Sequence, residues 1–170
     1  LFDTFVKHSL ASSEYNTRRQ ECEAGLAAIR QQFKVASFRE ATLQMLDAVA
    51  DNISTSVYNR CTYVIQEIAR MEAACTHLLA GEIANCGARM YETHTGLSKL
   101  YEVSGPELDL IVENCIPAAA IIGARMMGGG FGGCVIALVQ TNEVDTLYHQ
   151  INTAFENKFG RSMGKYVMQI

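Results

Sequence analysis

Five of the six residues from Gly128 to Gly133 are glycine, inside the run GARMMGGGFGGC at 123–134. Glycine loses more conformational freedom on folding than any other residue, so propensity does not explain such a cluster. Several glycines together in apolar, strand-like sequence imply left-handed backbone or a close approach of the main chain to something else. Two readings follow. In one, bare N–H groups approach a phosphate or a sugar. In the other, a tight turn between two strands needs glycine sterically. The run is not a Walker A loop, because no Lys-Ser/Thr follows the glycines. It also lacks the strand-to-helix setting of a GxGxxG fingerprint.

The stretch around the run, Cys115 to Val139, is the most apolar of the chain and carries Arg125 as its only charge. Its glycines and Pro117 predict a buried strand, turn and strand rather than a membrane-spanning helix. Strands are expected at Ala119–Met126, Cys134–Val139, Leu1–Lys7 and Lys165–Ile170. Ser9–Ser13 reads as a polar turn, with Ser12 and Ser13 as helix caps. Helical periodicity predicts helices over Glu14–Phe33, Val57–Leu79, Glu82–Ser98 and Glu143–Phe159, the last closed by Gly160. Pro106 suits the first turn of a helix running to Ile116. Ser37 and Glu40 have the spacing of a capping box and predict a short helix from Ser37 to Leu46. In the 57–79 stripe, Val57, Cys61, Val64, Ile65, Ile68, Cys75, Leu78 and Leu79 form the apolar face, and Arg60 falls off it. The expected fold class is α+β, with helices on one face of a small, mainly antiparallel sheet. Strand, glycine turn, strand, helix, strand is half of a ferredoxin-like plait.

With 170 residues, 49% hydrophobic and 19% charged, the chain can build one packed domain, 1–170, and is not disordered. A net charge of −4 without a basic cluster excludes nucleic acid as an expected partner. The six cysteines form no CxxC pair and the four histidines lie apart from them, so no metal site is expected. They read as free, mostly buried thiols of a cytoplasmic protein, with no membrane partner. The chain opens at Leu1 inside a strand pattern and closes on KYVMQI without a tail. Both ends are expected to be cuts in a longer protein.

Three stretches, in order, carry a more specific signal: HSLASSEYNTRRQECE from His8 to Glu23, YEVSGPELD from Tyr101 to Asp109, and the glycine run. Together they resemble the GHMP small-molecule kinases in their galactokinase form, collinearly over essentially the whole chain. The resemblance implies a two-layer, ferredoxin-like C-terminal domain. It implies a sugar 1-kinase that transfers the γ-phosphate of ATP to the C1 hydroxyl of galactose. The family's sugar-recognising motif, its Ser-rich phosphate loop and its catalytic Asp have no counterpart here. ATP and Mg²⁺ are therefore expected mainly on an N-terminal domain outside this chain, its expected protein partner, and the isolated chain is expected to be inactive.

Residue by residue, the resemblance makes Tyr15 a galactose contact, which suits an aromatic ring with one polar handle. Read without the resemblance, Tyr15 packs at a helix start. It also places Gly128, Gly129 and Gly130 as a loop beside the active site, flanked by Met126 and Phe131 as core residues. No catalytic residue is expected in the chain itself. Two positions depart from the common pattern: Met127, where the family usually has Thr, and Gly105, where it usually has Cys. Alternatives are an N-acetylgalactosamine kinase, or a non-enzymatic galactose and ATP sensor on the same scaffold. Asp109 and Glu113, one helical turn apart, read as a solvated face rather than an acid–base pair. His94 reads as structural, with no carboxylate neighbour. Arg18 and Arg19 read as partners of Glu14 and Glu23 rather than as an anion site.

Overall fold

A computed structural model describes residues 1–6 and 11–168, with side chains described from residue 14 onward in the second segment. Of the expected turn at Ser9–Ser13, residues 9 and 10 lie outside the described residues, whereas residues 11–13 are helical instead of a turn. The side chains of Ser12 and Ser13, Lys7 of the first strand and the last two residues of the final one also lie outside the described residues.

The order of elements is β1 (Phe2–Asp3), α1 (Ala11–Gln32), α2 (Leu43–Asp47), α3 (Thr55–Leu79), α4 (Ile83–Lys99), α5 (Pro106–Cys115), β2 (Ile121–Met126), β3 (Cys134–Val139), α6 (Val144–Phe159) and β4 (Gly164–Lys165). The strands form one antiparallel sheet in the order β2-β3-β1-β4, so both crossovers skip a neighbour, as the ferredoxin-like reading requires. One core lies between the sheet and α5 and α6, around Leu108, Ile111, Met126, Val135, Ile151 and Phe155. A second joins α1, α2 and α3 around Ile29, Leu46, Val49 and Cys61.

Several expectations need correction. Residues 37–40 form a turn, and α2 starts at Leu43 instead of Ser37. Ser37 Oγ does accept from Arg39 N at 3.3 Å, and Glu40 Oε2 from Ala36 N at 2.8 Å. The motif thus satisfies a turn, and the chain then extends at Thr42 (φ −118°, ψ 161°), whose hydroxyl caps α2 at Met45 N. The first strand is two residues long because Asp3 Oδ1 accepts from Phe5 N at 2.8 Å, a local bond that turns the chain out of the ladder. The final strand ends at Lys165, and residues 166–168 are exposed. The apolar stripe of α3 is buried only in part: Cys61 is 0% accessible and Leu79 is 90% accessible, while Arg60, expected off the stripe, is buried. The thiols are likewise mixed, with Cys61 and Cys115 buried, Cys75 exposed and the other three half-buried.

α4 lies on β2 through two glycines. A β-carbon on Gly123 would stand 2.5 Å from Gly87 Cα, and one on Gly87 would stand 2.1 Å from Ile122 O. Gly123→Ala forces backbone against backbone, so it is expected to cost about 1–3 kcal/mol in denaturant unfolding. Gly105→Ala meets only Glu107 Oε2 at 3.9 Å and is expected to be near neutral. Equal stability of the two variants would contradict this packing.

Candidate functional site

The glycine run is the connection between β2 and β3, closed at its base by Met127 N donating to Cys134 O at 3.0 Å. Its glycines do not share one task. Gly128 (φ 83°), Gly130 (φ 86°), Gly132 (φ 138°) and Gly133 (φ 84°) occupy the left-handed half of backbone space, where side chains are strained. Gly130 is also buried flush on another segment: a β-carbon there would meet Val103 O at 2.1 Å. Gly132 approaches Val6 O in the same way, at 2.7 Å. Nothing lies within 4 Å of a β-carbon on Gly128 or Gly129, and both residues are exposed. So both readings of the run have a place in it: steric need at 130 and 132, open backbone at 128 and 129.

Two holds fix the loop from outside. Phe131, itself left-handed at φ 60°, donates its N–H to Val103 O at 2.7 Å. On the β1 side, Gly133 O accepts from Thr4 N at 3.0 Å and from Thr4 Oγ1 at 2.8 Å. Met126 is fully buried and Phe131 is half-buried against the same core, as expected for flanking residues. Met127 is 38% accessible at the loop entrance and makes no side-chain hydrogen bond of the kind a threonine would offer.

The strand that leads into the loop is anchored by a pair that the sequence reading did not join. Met126 N donates to His94 Nδ1 at 3.2 Å, and His94 Nε2 lies 3.2 Å from Asp109 Oδ1. Because Nδ1 accepts, Nε2 carries the proton and faces the carboxylate. Ser98 Oγ donates to Asp109 Oδ2 at 3.0 Å. Burial pushes the Asp109 carboxyl up, but hydrogen bonds from His94, Ser104 and Ser98 outweigh it and hold the carboxyl at about 2. Asp109 is therefore no solvated face, whereas Glu113 is exposed. His94 is structural, but it does have a carboxylate neighbour. The pair was hidden because its members lie on α4 and α5, fifteen residues apart, with no local spacing to mark them.

Tyr15 stands on α1 with 58% of its surface accessible, so it is presented outward rather than packed. One turn on, Arg18 is buried. Its Nη1 is 3.6 Å from Glu14 and 3.4 Å from Glu21, its Nε donates to Tyr101 O at 2.8 Å, and its Nη2 donates to Glu102 O at 3.1 Å. Arg19 pairs with Glu23 at 2.8 Å in solvent, as expected. Arg60 joins from α3: Nε reaches Glu21 at 3.1 Å, Nη2 reaches Glu102 at 2.8 Å, and Nη1 donates to Leu100 O. Tyr15 and the glycine loop are both tied to residues 100–103. Arg18 ties the helix of Tyr15 to that segment, and Phe131 ties the loop to it.

A four-stranded split-βαβ sheet with helices on one face and a glycine-built β2–β3 turn makes this an α+β domain of the ferredoxin-like kind. The chain belongs to the GHMP kinases: residues 71–157, just over half of it, match the family described as "GHMP kinases C terminal". It is similar to galactokinase from Homo sapiens, 41% identical over 137 residues, which is 81% of this chain and 34% of that protein. It is similar to galactokinase from Bos taurus, 39% identical over 88% of this chain and 37% of that protein. Among solved structures, Lactococcus lactis galactokinase complexed with galactose matches with a TM-score of 0.93 and 31% identity, over 99% of this chain and 44% of that one. The chain thus spans less than half the length of each of these proteins.

The Asp109 carboxyl titrates lower in the folded protein than its ordinary value of 3.8. A depressed carboxyl contributes stability that is present above about pH 4 and lost as the pH falls toward 2. Asp109→Asn is expected to remove a contribution of at most about 2 kcal/mol and to flatten the acid limb of stability against pH. An unchanged acid limb would show that the carboxylate is not held as described.

Proposed function

We propose that residues 1–170 are the C-terminal domain of a galactokinase, working with its own N-terminal domain to transfer the γ-phosphate of ATP to the C1 hydroxyl of galactose. The observation that carries this reading is the match of 99% of the chain, at a TM-score of 0.93, to a galactokinase solved with galactose. Phosphoryl transfer is mostly positioning and neutralisation of charge. In this reading Tyr15 offers its ring and hydroxyl to the sugar, and the open backbone at Gly128 and Gly129 shapes the wall beside the reacting groups. The His94–Asp109 pair keeps the entry of that wall fixed. Mg²⁺, when bound, neutralises phosphate charge. In this reading ATP and Mg²⁺ are held mainly by the N-terminal domain. Among the described residues no group of three or more His, Cys, Asp or Glu stands together. A cytoplasmic location belongs to the same reading, since six free thiols suit a reducing compartment. Among the described residues, no helix is long and apolar enough to cross a membrane.

The test is ATP consumption by the full-length protein with galactose, with N-acetylgalactosamine and without sugar. Turnover with galactose alone is expected, and none with the 170-residue chain by itself. Turnover with N-acetylgalactosamine alone, or galactose binding without turnover, would replace this reading. Tyr15→Phe is expected to raise the KM for galactose about three- to tenfold, the worth of one hydrogen bond, with the KM for ATP unchanged. Unaltered galactose kinetics would remove Tyr15 from the sugar site.

A further inference from the structure

Four consecutive carbonyls, from Leu100 to Val103, all accept hydrogen bonds from outside their own segment. Leu100 O takes Arg60 Nη1, Tyr101 O and Glu102 O take Arg18, and Val103 O takes the Phe131 N–H. The backbone is strained on both sides of the last of these bonds. Glu102 has φ 53° and Phe131 has φ 60°, and the described residues contain only one other left-handed non-glycine, Phe5. Left-handed backbone in a side-chain-bearing residue is strained and persists only where surrounding contacts over-determine it.

Arg60 supplies that constraint. It is 3% accessible and reaches Glu21 on α1, Glu102 and the Leu100 carbonyl at once. Desolvating a guanidinium offsets most of what its ion pairs contribute, so such a cluster adds little net stability. What a planar fork adds is direction, because its donors reach fixed positions together. A plainer role also fits. The carbonyls at 100–102 follow the end of α4, where cations satisfy the last carbonyls of a helix. A cap of that kind would stabilise α4 without regard to the loop.

We propose that Arg60 is a positioning residue for the glycine loop. Through Glu102 and the 100–103 segment it fixes Val103 O, to which the loop is bonded, and through Glu21 and Arg18 it fixes the helix that presents Tyr15. The sugar-contact helix and the loop therefore move as one piece. The kinetic part of this inference rests on the galactokinase reading, whereas the structural part does not.

The test uses the full-length protein with Arg60→Lys, which keeps the charge and loses the fork, and Glu102→Gln, a milder variant that leaves the arginine in place. Ile29→Val, in the α1–α3 core, serves as a control for lost stability alone. Two quantities are read: hydrogen exchange at the Phe131 amide relative to amides of β3, and kcat and KM for galactose and ATP. Both test variants are expected to speed Phe131 exchange roughly tenfold relative to β3. They should also lower kcat roughly tenfold, the scale of a small misplacement, with the KM for ATP within about twofold. The control should change neither. Variants that melt earlier but leave Phe131 exchange and kcat unchanged would leave Arg60 as a helix cap and overturn the proposal. Faster Phe131 exchange in a protein that shows no galactose-dependent turnover would keep the positioning role and defeat the kinase reading instead.

Discussion

The hydrogen bond from Phe131 N to Val103 O, 2.7 Å long, is the point on which the candidate site depends. It joins the β2–β3 turn to the segment between α4 and α5, and it brings Gly130 so close to Val103 that no side chain fits between them. Every other hold works on one side of it or the other. His94 and Asp109 fix the strand entering the turn, Thr4 fixes its exit, and Arg18 and Arg60 fix the segment that supplies the acceptor. A glycine-rich turn is conformationally free in the unfolded chain, so ordering it costs more entropy than ordering an ordinary turn. These holds offset that cost and give the turn one shape.

That single shape connects fold to chemistry. In the proposed galactokinase reading the turn is a wall beside the transferred phosphate, and such a wall must be set before the substrates arrive, because rate is lost quickly when reacting groups are misplaced. The domain achieves this with a few backbone bonds backed by buried charge rather than with a rigid helix. A planar guanidinium fork fixes several acceptors in place at once, which is what the turn's support requires. Tyr15 is outward on α1, and the guanidinium one turn after it grips the same segment that holds the turn.

Much of this was legible in the sequence. The glycine run, the two strands around it, α5 after Pro106, and α6 ending at Gly160 all follow from local periodicity and from residues with one conformational use. The sheet order also matches the plait expected from that pattern. What was not legible depends on contacts between distant parts of the chain. Arg60 stands off the apolar stripe in the sequence, and its burial depends on Glu21, Glu102 and the Leu100 carbonyl arriving from elsewhere in the chain. Asp109 looked exposed because its partner is on another helix. At Ser37 and Glu40 the local motif did form its bonds, but the extended backbone at Thr42 postponed the helix to Leu43. The glycines themselves were legible as a group and not individually, since only the fold shows which of them faces a neighbour.

The division of labour within the run is the central claim, and two alanine substitutions in the full-length protein test it most directly. Gly130→Ala puts a β-carbon against Val103 O in left-handed backbone, whereas Gly129→Ala meets nothing within 4 Å and has no left-handed φ to strain. The account holds if denaturant unfolding shows Gly130→Ala destabilised by about 1–3 kcal/mol, Gly129→Ala unchanged, and turnover reduced in both. Equal stability loss in the two variants, or full turnover in Gly130→Ala, would contradict it.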